Sequence, residues 1–247
     1  MKKLVCITLV LCMVFALAGC GGEVGGSTPK KPDYIDINAD ESRTNDVFGF
    51  QLDQPKKGEE IAVLHTTMGD IKMRLFMDSA PIAVTNFIAL AKDGKYDGTT
   101  FHRVINDFMI QTGIPANESE GKSIWGADFK TELNANLLHL RGAVSMAHRG
   151  KDTNSCQFFI VQNPTVTEAE FVGAPPAFTS EIKNIYTQKG GTPFLDGIGN
   201  PEGHAVFAQV FEGMDIVDQI AAVETDSGDA PVEEIKITSV EIVKYEN

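Results

Sequence analysis

Apolar and polar positions alternate in short runs along most of this chain. Ile71, Met73 and Leu75 fall on one side of an extended segment, and Lys72 and Arg74 on the other. That is the period-two pattern of a strand with one buried face. Residues 61–67 read as its partner, with Met68-Gly69-Asp70 as the hairpin turn. The period then changes. Val84, Phe87, Ile88 and Ala91 recur at i, i+3, i+4 and i+7, one apolar stripe of a helix. Pro81 suits its first turn, Asp78 or Ser79 can cap it, and Asp93-Gly94 can end it. Further strand-like runs occupy 100–105, 108–112, 143–147, 157–162, 205–211 and 235–244. In the last of these the apolar phase slips between Ile237 and Val240, which predicts a bulge. Ile182, Ile185 and Tyr186 place a helix on 180–190, and Met214, Val217 and Ile220 place a short one near the end. Many strands with few helices argue for a closed barrel or a sandwich, because closure removes exposed edges.

The N-terminus has a different pattern. Lys2 and Lys3 precede an apolar stretch, 4–17, that is too short for a comfortable membrane span. It ends in Leu17-Ala18-Gly19-Cys20, which resembles the bacterial lipobox. The resemblance implies that the Cys20 thiol is lipidated and that the chain is cut just before it. Residues 21–31, rich in Gly, Ser, Thr, Pro and Lys, form a flexible tether. The expected organisation is therefore a lipoprotein signal peptide at 1–19, a lipidated cysteine and tether at 20–57, and a folded domain at 58–247. Segment 34–54 is too apolar for a pure linker and too irregular for a confident element, so its docking on the domain stays open.

Composition narrows the partners. The formal net charge is −13, and loss of Lys2 and Lys3 with the leader makes it more negative still. Such a surface repels phosphate backbones, so no nucleic-acid partner is expected. Of the 4 cysteines, Cys6, Cys12 and Cys20 lie in the leader and its end. Cys156 alone belongs to the folded part, so no internal disulfide is expected.

Residues 101–113 carry the densest chemistry: Phe-His-Arg-Val-Ile-Asn-Asp-Phe-Met-Ile-Gln-Thr-Gly. Arg103 is a permanent cation in a largely apolar run. An arginine does not shed its proton, so it is a poor general base and a good fixed hydrogen-bond donor. A lone donor among Phe101, Phe108 and Met109 suits a reaction that moves no proton and needs one directed hydrogen bond in a dry place. The competing reading is a buried strand whose arginine reaches out to water.

Later blocks decide between them. Ser145-Met146-Ala147-His148, Thr153-Asn154-Ser155-Cys156-Gln157-Phe158-Phe159, Phe194-Leu195-Asp196-Gly197 and His204-Ala205-Val206-Phe207 follow in order. With the arginine run they resemble the cyclophilin-type peptidyl-prolyl cis-trans isomerases over about 59–243. The resemblance implies an all-β-dominated fold: a closed eight-stranded antiparallel barrel capped by two helices, here with a helical insertion at about 164–193. It implies an active face on the outer wall of the barrel. Arg103 matches the catalytic arginine. Phe108, Met109, Phe159, Leu195 and His204 match the proline pocket, with Phe194 beside them. Gln111 matches a glutamine that helps hold Arg103 and the substrate, and Ala147 and His148 match the stretch that grips the substrate chain.

The function implied is isomerisation of Xaa-Pro bonds in exported proteins, aiding their folding at the extracytoplasmic face of the cell membrane. The protein is expected to be lipid-anchored and monomeric, with proline-containing polypeptides as partners and with no cofactor and no metal. The alternative is a non-catalytic cyclophilin-like module that binds clients or a cell-surface partner. A thiol hydrolase built on Cys156 is a third reading, with little to support it.

The chain also departs from the family pattern. His148 and Arg149 replace an asparagine and a small residue, which makes the groove more basic. Glu118 and Glu120 stand where relatives often carry glycine, and Asn106 and Thr112 alter the first motif. Phe194 stands where the drug-sensitive relatives have tryptophan. It cannot donate an indole hydrogen bond, so weak cyclosporin binding is expected.

Overall fold

The computed structural model describes residues 49–246. Eight strands form one sheet: β1 (Glu60–Thr66), β2 (Gly69–Leu75), β3 (Arg103–Ile105), β4 (Met109–Thr112), β5 (Ala143–Met146), β6 (Phe158–Val161), β7 (Val206–Glu212) and β8 (Ile237–Lys244). Their order is β3-β4-β6-β5-β7-β2-β1-β8, and every neighbouring pair is antiparallel. Three helices accompany the sheet: α1 (Pro81–Lys92), α2 (Ser180–Lys189) and α3 (Met214–Ala221).

The alternation in β2 does what the sequence requires. Ile71 and Met73 are fully buried in the main core. Val84, Phe87, Leu90 and Ala91 of α1 enter the same core, as do Val217, Ile220 and Ala221 of α3. Phe87 is its aromatic hub, with ring centroids 5.3 Å from Tyr96, 5.5 Å from Phe158 and 5.4 Å from Phe207. The two helices sit at opposite ends of β2. The chain leaves β2 at Leu75 and enters α1 at Pro81, whereas a Cβ on Gly69 would come within 2.7 Å of Ile216 in α3.

The predicted bulge is present. His65 pairs with Ser239 and Thr66 with Ile237, so Thr238 is the extra residue.

Two expectations need correction. The sheet does not close into a continuous barrel: β3 and β8 are its two ends. Residues 100–102, expected in the strand, stay outside it, and β3 is only three residues long. The seam is crossed instead by irregular backbone, with Gly98 N–H to Ile237 O at 2.8 Å, Phe101 N–H to Ile235 O at 3.0 Å and Val104 N–H to Asp229 O at 2.8 Å.

The second correction is the cap of α1. Its N-cap residue is Ala80, without a side-chain cap. The first turn is served from far along the chain: Glu132 accepts Ile82 N–H at 3.1 Å and Ala83 N–H at 2.9 Å. A carboxylate there also complements the helix dipole.

Stretch 164–193 is partly helical. It holds a 3-10 turn (Glu168–Phe171) and α2, whose N-terminus is capped by Thr179 accepting Ile182 N–H at 3.3 Å. Phe171, Phe178, Ile182 and Tyr186 bury against Leu138 and Leu140 as a separate small core.

The described part of segment 34–54 docks on the domain. Phe50–Leu52 forms a 3-10 turn, and the Phe50 ring meets Phe76 edge-on at 5.4 Å. Gln51 is 2% exposed. It donates to Leu138 O at 2.7 Å and to Gln209 Oε1 at 2.9 Å, and accepts Leu138 N–H at 2.9 Å.

Candidate active site

The sheet has two apolar faces where β4, β5 and β6 meet. Ile110, Val144, Met146, Phe158 and Ile160 point into the main core. Their neighbours Met109, Ala143, Phe159 and Val161 form a second cluster on the opposite face, joined by Leu137 and Val206. This is why β6 is buried at every position: one strand serves two cores. Phe108, Ala147 and Leu195 are partly buried and pack against the second cluster.

Pairing lines up the polar groups along that outer face. Arg103 pairs with Gln111, Gln111 with Phe159 and Phe159 with Ser145. Residues directly opposite in an antiparallel sheet share a face. The guanidinium, the amide and the ring therefore lie side by side, although 56 positions separate Arg103 from Phe159.

Arg103 stands at the sheet edge with its side chain 43% exposed. Its Nε lies 3.5 Å from Asp229 Oδ2. Gln111 donates by Nε2 to Gln157 Oε1 at 3.1 Å, and Gln157 donates to Glu120 O at 3.3 Å. Asp229 and Gln157 were missed as neighbours of the site. Asp229 is distant in sequence and sits in a turn, so no local pattern marks it. Gln157 lies within the quoted Thr153–Phe159 block, but only the register shows that its side chain meets Gln111.

His204 forms a wall of the outer cluster. Its Nδ1 lies 2.9 Å from Met146 O, its ring stacks on His148 at 4.0 Å, and it meets Phe159 edge-on at 5.3 Å. Burial pushes its pKa down to about 4, and the neighbouring His148 and His139 push the same way. The imidazole is therefore neutral and works as a flat apolar surface. His148 in turn lies 3.2 Å by Nε2 from Gly203 O.

Behind the pocket, His139 stacks on Phe159 at 6.0 Å and contacts Asp196 Oδ1 at 2.8 Å by Nδ1. Tyr186 of α2 donates to the other Asp196 oxygen at 2.6 Å. Thus the helical stretch 164–193 reaches the site through the Asp196 of the Leu195-Asp196-Gly197 block. His139 shows no metal-ligand spacing in the sequence, and this role was not legible there.

Phe194 is 64% exposed and stacks on Phe108 at 5.7 Å, forming an aromatic rim. Next to Gln111 and Ala147 lies a recess of about 90 Å³, lined also by Glu120, His148, Arg149 and Gln157. Arg149 pairs with Glu120 at 3.4 Å across exposed side chains. Cys156 is a free, buried thiol whose pKa burial pushes up to about 11, so it is no ready nucleophile. Among the described residues, no group of three or more His, Cys, Asp or Glu is placed to hold a metal ion, and no helix is long and apolar enough to cross a membrane. Cys20 lies outside the described residues.

What the outer face offers is a cationic donor, Arg103, at the edge of an apolar surface. The family profile described as cyclophilin type peptidyl-prolyl cis-trans isomerase/CLD matches residues 61–242. The chain belongs to this family. A Staphylococcus saprophyticus protein, provisionally named a peptidyl-prolyl cis-trans isomerase, is 42% identical over 197 residues, covering 78% of this chain and 98% of its own length. A Staphylococcus aureus protein (strain USA300) of the same provisional name is 42% identical over 189 residues, covering 76% of this chain and 93% of its own. A Cryptosporidium parvum cyclophilin type isomerase, crystallised in the presence of the dipeptide Ala-Pro, superposes with a TM-score of 0.59 at 27% identity. That match covers 75% of this chain and 99% of the other. The chain is accordingly a peptidyl-prolyl cis-trans isomerase.

Proposed function

We propose that this isomerase uses Arg103 as its catalytic donor and acts, lipid-anchored through Cys20 and monomeric, on exported proteins outside the cytoplasm. The observation that carries the catalytic part is the row Arg103–Gln111–Phe159 beside the outer apolar cluster. A peptide bond resists rotation by roughly 18–20 kcal/mol because its nitrogen lone pair is delocalised. Before proline the two isomers are close in energy, yet exchange takes tens of seconds or more. Rotation localises the lone pair on the proline nitrogen, which becomes a hydrogen-bond acceptor. A donor aimed at that nitrogen binds the twisted amide and hardly binds the planar one, so it lowers the barrier by differential binding. The twisted amide is also the less polar form, so an apolar slot favours it further.

Met109, Phe159, Leu195 and His204 would hold the proline ring, with the Phe108–Phe194 stack as its rim. Ala147 and His148 border the path of the preceding residues. The Ala-Pro dipeptide in the name of the Cryptosporidium structure supports a proline-containing substrate. The anchor and the location rest on the leader and Leu17-Ala18-Gly19-Cys20. Multiple acyl chains would give stable membrane attachment. Residues 164–193 are read as a helical addition to the compact family fold.

The test is turnover of a short Xaa-Pro peptide by the full chain. Arg103→Ala is expected to lose about 10²-fold or more, as loss of a transition-state donor should. Arg103→Lys should not restore the rate, because the planar fork is gone. A near-normal rate for Arg103→Ala would overturn the mechanism. An inactive wild type that still binds proline peptides would mark a non-catalytic binding module instead. Cys20→Ala should abolish incorporation of labelled fatty acid in a bacterial host; unchanged labelling would overturn the anchor.

A further inference from the structure

Arg103 lies on a three-residue edge strand. Its side chain is long and half in solvent, and its neighbour across the ladder, Gln111, is occupied with Gln157. No hydrogen bond between Gln111 and Arg103 accompanies that contact, and the charged group beside the guanidinium is Asp229. The geometry points to Asp229 as a positioning residue of the isomerase site, holding the Nε edge of Arg103 so that the Nη edge is left for the twisted imide. The inference rests on the proposed role of Arg103.

Asp229 is fixed before its side chain meets the arginine. It closes a tight turn in which Thr225 and Pro231 form a bridge. Asp226 Oδ1 accepts Gly228 N–H at 2.8 Å and Ala230 N–H at 3.0 Å, and Asp229 N–H donates to Asp226 O at 3.1 Å. The turn forces Asp229 to φ 64°, a left-handed conformation that Asp tolerates better than most residues. Its carbonyl then accepts Val104 N–H at 2.8 Å, one residue from Arg103. The backbone of β3 and the carboxylate that faces its arginine are thus tied at the same point. The seam that leaves the sheet unclosed is what brings this turn to the active strand.

The carboxylate does not compete with the substrate. It lies 3.5 Å from Nε, and a guanidinium presents its donors in a rigid planar fork. With the carboxylate beside the Nε edge, the plane of the fork is biased and the end-on edge between the two Nη groups stays open to the substrate. The pair is exposed, so the attraction alone is weak and screened. Its value lies in orientation, which acts on the transition state. The expected signature is therefore a loss in kcat with KM little changed.

The experiment compares Asp229→Gly and Asp229→Asn, alone and with Arg103→Ala, in the full chain on an Xaa-Pro peptide. Glycine is relaxed at this φ, so it removes the side chain without backbone strain. Asparagine keeps the left-handed turn and one acceptor oxygen. Asp229→Gly should lower kcat about fivefold, near the upper value of an exposed ion pair, and Asp229→Asn about twofold. In the Arg103→Ala background Asp229→Gly should cost nothing more, because its partner is gone. Two losses that multiply, or an unchanged kcat in Asp229→Gly, would overturn the inference. Solvent exchange of the Arg103 Nε–H by NMR is a second readout, expected to be slower in the wild type than in Asp229→Asn; equal rates would overturn it too. A slow Arg103→Ala with a normal Asp229→Gly sinks only this inference, whereas a normal Arg103→Ala sinks the proposed mechanism itself.

Discussion

His204 offers a prediction whose size follows from its surroundings. An unfolded chain titrates this imidazole near 6.5, and the folded one holds it at about 4. Burial is the largest cause, followed by the positive potential that His148 would add at 4.0 Å if both rings were charged. Above pH 6.5 neither state carries the proton, and the group is neutral to stability. Between about 6.5 and about 4 the unfolded chain binds a proton that the folded chain refuses, so stability falls as the pH falls through this window. At about 1.4 kcal/mol per pKa unit, the full loss from His204 alone is on the order of 3 kcal/mol at the acid end. The assay is urea unfolding of the wild type and His204→Phe across pH 4 to 8. The difference between the two stability curves should shrink or reverse toward acid by that amount, because phenylalanine has nothing to titrate. The His204 ring proton in NMR should show a midpoint well below 6. A midpoint near 6.5, or a stability difference that is flat across the window, would refute the picture of a neutral ring used as a wall. Isomerase activity near neutral pH should likewise show no inflection from this residue.

Glu132→Ala should destabilise the protein by about 2 kcal/mol, since it strips the Ile82 and Ala83 N–H groups of their acceptor at the buried start of α1. Denaturant unfolding checks this, and an unchanged midpoint would show that water replaces the carboxylate at no cost. Cys156 should label slowly with iodoacetamide at pH 8 in the native protein, because its pKa stands at about 11 and its side chain is buried. Rapid native labelling, or peptide cleavage sensitive to it, would revive the thiol-hydrolase reading.

Some parts of this molecule could be read from the chain because their cause is local. The two-residue period of Ile71, Met73 and Leu75 needs only a strand with one covered face, and the stripe through Val84, Phe87 and Ala91 needs only one packed helix face. The phase slip before Val240 announced a bulge because side-chain direction alternates at every residue. The family was legible through ordered motifs, and the pairing places three residues of the candidate site, Arg103, Gln111 and Phe159, on one face. Other parts depend on chain segments meeting across long separations. The acceptor for α1 comes from Glu132, while Asp78 and Ser79 looked adequate from the sequence alone. Whether the sheet closes depends on the register between β3 and β8, which no local window contains. Asp229 and His139 gain their meaning only from what the fold brings beside them. Even β6 misleads when read alone, since Phe158, Phe159, Ile160 and Val161 form an unbroken apolar run whose two faces serve different ends.

The turn at Phe50–Leu52 has a practical consequence for anyone cutting this protein down to its catalytic unit. Starting an expression clone at residue 58 looks reasonable from composition, yet it deletes the amide that plugs the gap between Leu138 and Gln209. Water would have to flood that spot, and Arg74 would lose the Phe50 and Asp53 carbonyls that it grips at 3.1 Å and 3.4 Å. A clone beginning at Gly49 keeps the plug in place.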